Sequence, residues 1–277
     1  MSEFDKLMEH VKDKSNSTIK AYSIAYRKLR KLLEKDVEEA SQKKIIEVVM
    51  EGTTNLNSAQ ALINIGVMIR KLNNLNVLEL EHQRTKNTVA LAQYVKEKNQ
   101  LIGDTLPSYD ELWQYTDSLY ANAQWKEFIV NYLLLTYQTR NEDLMFTVVK
   151  RKMDCTDPNK NYIWLRNRVA TYFRREYKTA NVYGEKIHKI TNMKFITAIR
   201  RIIGLQKIDD DKAVFIPTET QLGYYIQKYT YKELGETKYV KIVIDHFRGD
   251  IQKLREISEN RGTDLSTLAQ SYDIKNI

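Results

Sequence analysis

YIWLRNRVATYFRREYKTANVYGEKIHKI, residues 162–190, is the stretch on which the fold class turns. Aromatic and β-branched residues crowd YIWLR (162–166) and VATYFRREY (169–177), the composition of half-buried strands. Asn181 to Gly184 supplies turn residues ahead of a short return run, EKIHKI (185–190). The stretch predicts a small antiparallel sheet in a chain that otherwise reads as helix.

Upstream of about residue 100, apolar residues recur at helical spacing with no alternating run, so the beginning of the chain is expected to be all-α. Ser17 is placed as N-cap of a helix in which Ile19, Tyr22, Tyr26, Leu29 and Leu33 form one apolar stripe. Lys20, Arg27, Lys28, Arg30 and Lys31 lie mostly off that stripe, which makes the other face basic. Further helices are expected at about 41–51, 57–73 and 78–98. In NQLIGDTLPSYDEL (99–112), Ser108 and Glu111 form a capping box that starts a new helix, and the domain boundary is placed just before it. Residues 1–105 should form a helical domain and residues 106–277 a mixed one. Around the sheet, helices are expected at about 108–121, 124–138, 192–203, 218–229, 238–258 and 264–271, interrupted by a short VFIP segment (214–217). The fold class is therefore mainly α with a small antiparallel β-sheet, an all-α domain followed by a mixed α+β domain.

The 277 residues carry a formal charge of +8, with a sequence pI of about 9.2. Such a surplus favours a polyanionic partner, because cations that neutralise phosphates release condensed counterions. No apolar run approaches the roughly 18–20 residues that cross a bilayer, and MSEFDKLMEH lacks a signal-peptide pattern, so an intracellular, soluble protein is expected. The single cysteine, Cys155, cannot form an internal disulfide, and no Cys or His spacing suits zinc. The acids of IDDDK (208–212) read as a solvated connection rather than a metal site, and neither metal nor cofactor is expected. Basic residues crowd positions 150–201. Arg166, Arg168, Arg174, Arg175 and Lys186, interleaved with Tyr162, Trp164, Tyr172 and Phe173, predict a track for nucleic-acid phosphates.

Three segments resemble the signature of the tyrosine recombinase (integrase) superfamily. NYLLLTYQTRNEDLMF (131–146) resembles the turn that holds the family's first catalytic arginine, at Arg140, with Asp143 and Leu144 in the acid and leucine places. DHFRGDIQKLREISENRGTDLSTLAQSYD (245–273) resembles the second half, matching an arginine at Arg248, a glycine at Gly262 and the tyrosine at Tyr272. FRREYKTANVYG (173–184) is similar to the hairpin bearing the catalytic lysine; Lys178 is the match, with Lys186 and Lys189 as rivals because the register is open. NSTIKAYSIAYRKLRKLL (16–33) is similar to the start of the family's core-binding domain, which implies DNA contacts from Arg27, Lys28 and Lys31. The resemblance covers nearly the whole chain.

What it implies is double-stranded DNA as partner and cleavage by Tyr272 through a 3′-phosphotyrosine, with no metal. Arginine suits the grip on phosphate oxygens because its planar fork stays charged. Lysine suits protonation of the leaving 5′-oxygen, since its pKa falls when it is partly desolvated among cations. Two places depart from the family pattern. Asp245 stands where a His or Lys is usual, so either His246 substitutes or Asp245 points away; Thr263 stands where His or Trp is usual. These departures keep open a weakly active or non-cutting DNA-binding descendant, beside a type IB topoisomerase-like relaxation. Self-association as a dimer or tetramer on DNA is also implied, although the five residues after Tyr272 leave little tail to dock on a neighbour. In a chain with 18 tyrosines, Tyr272 stands out by its order and spacing relative to Arg248.

Overall fold

A computed structural model describes residues 2–103, 105–205, 212–216, 222–272 and 274. The three acids at 209–211 lie outside the described residues, as does the start of the helix expected from 218. The chain divides into two compact units, Met1–Glu97 and Lys98–Ile277.

The first unit is built from α1 (Glu3–Val11), α2 (Asn16–Leu33), α3 (Gln42–Glu51), α4 (Leu56–Leu72) and the first part of α5 (Leu78–Gly103). The N-cap of α2 is Ser15, whose hydroxyl accepts from the Thr18 amide; Ser17 already lies inside the helix, a correction of two residues. The apolar stripe of α2 is buried at Tyr26, Leu29 and Leu33, packed with Leu7, Ile45, Leu62, Ile63 and Leu80. Two buried charges tie the loops to this core. Glu3 accepts from the backbone amides of Val37 and Glu38. Arg70 donates to the carbonyls of Ala40 at 2.7 Å and Asn76 at 2.8 Å. Each satisfies backbone groups that would otherwise be buried without partners.

In the second unit, α6 (Tyr109–Ala121) begins at the expected capping box of Ser108 and Glu111. It packs on α7 (Trp125–Tyr137), whose residues Phe128 to Leu135 are all buried. The sheet follows: β1 (Phe146–Val149), β2 (Asn161–Leu165), β3 (Ala170–Arg174), a single helical turn α8 (Ala180–Tyr183), and β4 (Lys186–Ile190). After α9 (Met193–Leu205) comes β5 (Lys212–Val214). The strand order is β4-β3-β2-β1-β5, and β1 runs parallel to β2. The expected sheet is thus present but mixed rather than antiparallel throughout. FTVV and the VFIP region were not read as strands because each is very short, and its pairing partner lies far along the chain.

The remaining helices are α10 (Leu222–Tyr229), α11 (Gly235–His246), α12 (Ile251–Arg261) and α13 (Leu265–Tyr272). The single helix expected over 238–258 is two. The chain breaks at Phe247 to Asp250, and the Asp250 carboxylate caps α12 by accepting from the amides of Gln252 and Lys253, both at 3.0 Å. Among the described residues no helix is long and apolar enough to cross a membrane, and no cluster of His, Cys, Asp and Glu could hold a metal ion.

Candidate functional site

Arg140 sits in the turn that ends α7. Gln138 takes the left-handed conformation there (φ 45°), which swings the chain out of the helix. The turn closes on Asp143, whose carboxylate accepts from the Arg140 amide at 2.7 Å. Asp143 is fully buried and paired with the equally buried Arg174 at the end of β3. Burial pushes the Asp143 carboxyl up, against the pull of Arg174. The Tyr172 hydroxyl donates to the Asp143 carbonyl, and Arg174 Nη1 donates to the Asn260 carbonyl at 2.9 Å. A sheet strand, the Arg140 turn and the end of α12 are thereby locked together. Arg174 was expected on the phosphate track. With no accessible surface it is instead the internal strut of the site.

The far side of the turn is held by Arg261, the last residue of α12, which no sequence motif singled out. It donates to the Gln138 carbonyl at 3.0 Å and pairs with Glu236 at 2.7 Å; Glu236 also accepts from the Asn141 amide at 2.9 Å. The backbone on both sides of Arg140 is therefore tied to one guanidinium–carboxylate pair. From the same guanidinium, Nη2 donates to the Tyr272 hydroxyl at 3.1 Å, and the group lies 5.1 Å from the Tyr272 ring centroid.

No protein-family profile and no curated protein matches the chain. One solved structure is similar, the crystal structure of XerA recombinase, at 12% identity over 99% of this chain and 94% of that one. Its TM-score is 0.37, too loose a likeness to carry an argument.

Of the lysines, Lys178 is exposed in the turn after β3, whereas Lys186 at the start of β4 turns into the cluster. Opposite Arg174 in the strand register, Lys186 donates to the carbonyls of Glu259 and Asn260 and lies over the rings of Tyr177 and Tyr183. Burial, then the charges of Arg174 and Arg140, bring its ammonium down to about 8. Two residues along β4, His188 packs against Tyr137 at 4.5 Å, and burial draws its imidazole down to about 4, so it is neutral. The Arg140 Nη1 atom is buried and hydrogen-bonded to none of the described residues. Arg140, Arg174, Lys186 and Arg261 face Asp143 and Glu236, leaving a surplus of positive charge around Arg140.

The other expected residues have settings of their own. Arg248 lies in the break between α11 and α12 and pairs with Asp245 at 3.1 Å, which answers how a carboxylate is tolerated at that place. His246 is exposed and stacks on Tyr109 at 4.2 Å. Arg175, expected on the track, is tied to Glu185 and to the carbonyls of Cys155 and Asp157, against the rings of Tyr162 and Phe173. Arg166 and Arg168 are exposed at the β2–β3 turn. In the first unit Arg27, Lys28 and Lys31 are exposed on α2, and Arg27 and Lys31 line a concavity of about 490 Å³.

Thr263 follows Gly262, which caps α12 at φ 58°. The Thr179 hydroxyl donates to the Gly262 carbonyl at 2.7 Å. A Cβ on Gly262 would lie 2.4 Å from Thr179 Oγ1 and 2.9 Å from the Tyr177 ring. Glycine is required twice over here, by the left-handed backbone and by the close approach of the β3–β4 connection. Gly262→Ala should cost about 2 kcal/mol or more in urea unfolding, and Thr179→Ala in the same chain should return the part due to the clash. A loss below about 0.5 kcal/mol would show the contact to be soft.

Proposed function

We propose that the chain binds duplex DNA and that Tyr272 attacks a backbone phosphate, breaking the bond to the 5′-oxygen and leaving a 3′-phosphotyrosine. The observation that supports this most is the Tyr272 hydroxyl on Arg261, whose Glu236 and Gln138 bonds also fix the Arg140 turn. Arg140 grips the non-bridging oxygens, where preorganised positive charge is worth most. Lys186 gives its proton to the departing 5′-oxygen, Arg261 positions the Tyr272 oxygen, and the phenolic proton of Tyr272 leaves to solvent as the ester forms. Phosphorus exchanges one oxygen ester for another, so rejoining is the reverse step and needs no cofactor. The first unit, with Arg27, Lys28 and Lys31, holds the duplex through its phosphates. Integration, excision or relaxation would all use this step.

Incubation with a pool of nicked suicide duplexes tests the reading: a denaturation-resistant protein–DNA adduct is expected without magnesium. Tight binding with no adduct on any duplex would sink it. A DNA-binding protein that does not cut is the second reading. It is favoured by one observation, that Arg248 and Arg261 each face a carboxylate, Asp245 and Glu236.

The role of Lys186 makes a pH prediction. The ammonium must be protonated to act as acid, so the cleavage rate should be level below about pH 8 and fall tenfold per pH unit above it. Lys186→Gln should lower the rate by about 10²–10⁴ and abolish that limb. A substrate whose leaving atom is sulfur needs little protonation and should restore the variant. Equal losses on oxygen and sulfur leaving groups, or a larger loss in Lys178→Gln, would refute the assignment.

A further inference from the structure

The turn joining β2 to β3 lies at the opposite end of the sheet from Arg174. The run of β3 from Ala170 to Arg174 puts about 13 Å between the two ends. At that turn a concavity of about 650 Å³ is lined by Lys150, Leu165, Arg166, Asn167, Arg200 and Ile203. Two of its cations, Arg166 and Arg200, meet neutral groups. Arg166 stacks over the Trp164 ring at 4.3 Å, and the Trp164 indole N–H donates to the Lys150 carbonyl at 3.2 Å. Arg200 donates to the carbonyls of Arg166 and Asn167, which also pins the turn. This differs from Arg174, Arg175, Arg248 and Arg261, each of which faces a carboxylate. Among the described lining residues there is no acid, and the described partners of the two guanidinium groups are an indole ring and backbone carbonyls. Arg168 in the turn and Arg201 beside Arg200 are exposed.

We propose that this concavity is a second anchor for nucleic-acid backbone, with Arg166 and Arg200 gripping phosphate oxygens at a point separate from the Arg140 centre. A duplex presents a charge about every 1.7 Å of its axis. Cations spread through and beyond a concavity match such a line of charge better than a lone phosphate. The inference shares its nucleic-acid partner with the proposed cleavage but none of its chemistry.

The test is the salt dependence of binding, read by anisotropy of a labelled mixed-sequence duplex between about 50 and 200 mM salt. Each lost phosphate contact lowers the slope of log K against log salt by about 0.9. Arg166→Gln should lower it by about 1 and Arg166→Gln/Arg200→Gln by about 2, while Arg166→Lys keeps the wild-type slope. Arg200 also holds the turn, so the Arg166 variants decide the matter if the double variant unfolds. If wild type binds and Arg166→Gln keeps its slope, the anchor is refuted and the cleavage reading stands. If no adduct forms but the slopes fall as stated, cleavage is refuted and the anchor stands. If wild type fails to bind any duplex at about 50 mM salt, both fall.

Discussion

Tyr272→Phe is expected to abolish the covalent adduct with a suicide duplex while leaving affinity for the same duplex within about twofold. The substitution removes one oxygen from a half-buried ring that keeps its packing, and no described residue other than Arg261 hydrogen-bonds that oxygen. The Arg261 guanidinium still has Glu236 and the Gln138 carbonyl, so the turn bearing Arg140 should hold its shape. Loss of the nucleophile takes the reaction to background, a drop of many powers of ten, because no other group forms the same ester. Arg261→Lys separates positioning from grip. A lysine cannot serve Glu236, the Gln138 carbonyl and Tyr272 in one plane, so the rate should fall while the pH at which the Lys186 limb begins stays where it was. An undiminished adduct in Tyr272→Phe would assign the nucleophile to another residue and detach the Arg261 contact from chemistry.

The largest expected effect on stability is at the Asp143–Arg174 pair. Both side chains are wholly buried, and removing one leaves the other charge without its partner. Asp143→Ala should destabilise the second unit by about 3–5 kcal/mol, which for a domain of this size lowers the melting midpoint by roughly 6–20 °C. Asp143→Ala also removes the acceptor of the Arg140 amide, so the Arg140 turn loosens and cleavage falls with stability. Arg174→Met in an Asp143→Leu background takes both charges out and should recover much of the stability, because the desolvation cost disappears with the ions. Activity should not recover with it, since the Arg140 turn still lacks its acceptor. Midpoints for wild type, Asp143→Leu, Arg174→Met and the pair, taken as a double-mutant cycle, measure the coupling. A cycle that closes near zero would mean that the two groups are not a pair in solution.

The sequence by itself determined whatever depends on neighbours close along the chain. The buried stripe of α2 follows from 3.6-residue periodicity, the start of α6 from the Ser108–Glu111 capping box, and the position of the sheet from the aromatic and β-branched residues of 162–190. Local order also pointed to the Arg140 turn and to Tyr272. The break at Gly249 and Asp250 was missed, although a glycine followed by a capping acid stands there, because the helical pattern on both sides masked it. The tertiary structure decided what depends on distant pairing. It made β1 and β2 parallel, because short strands specify a partner through packing and not through composition. It drew Arg174 out of the charge track and into the interior, since an arginine reads the same in sequence whether it meets water or a buried carboxylate. It also left Lys178 exposed and desolvated Lys186 beside Arg174 and Arg140, a difference between two lysines of one connection that is a matter of register. Arg261 had no local signature at all, because its bonds reach back more than a hundred residues to Gln138 and across a helix to Glu236 and Tyr272.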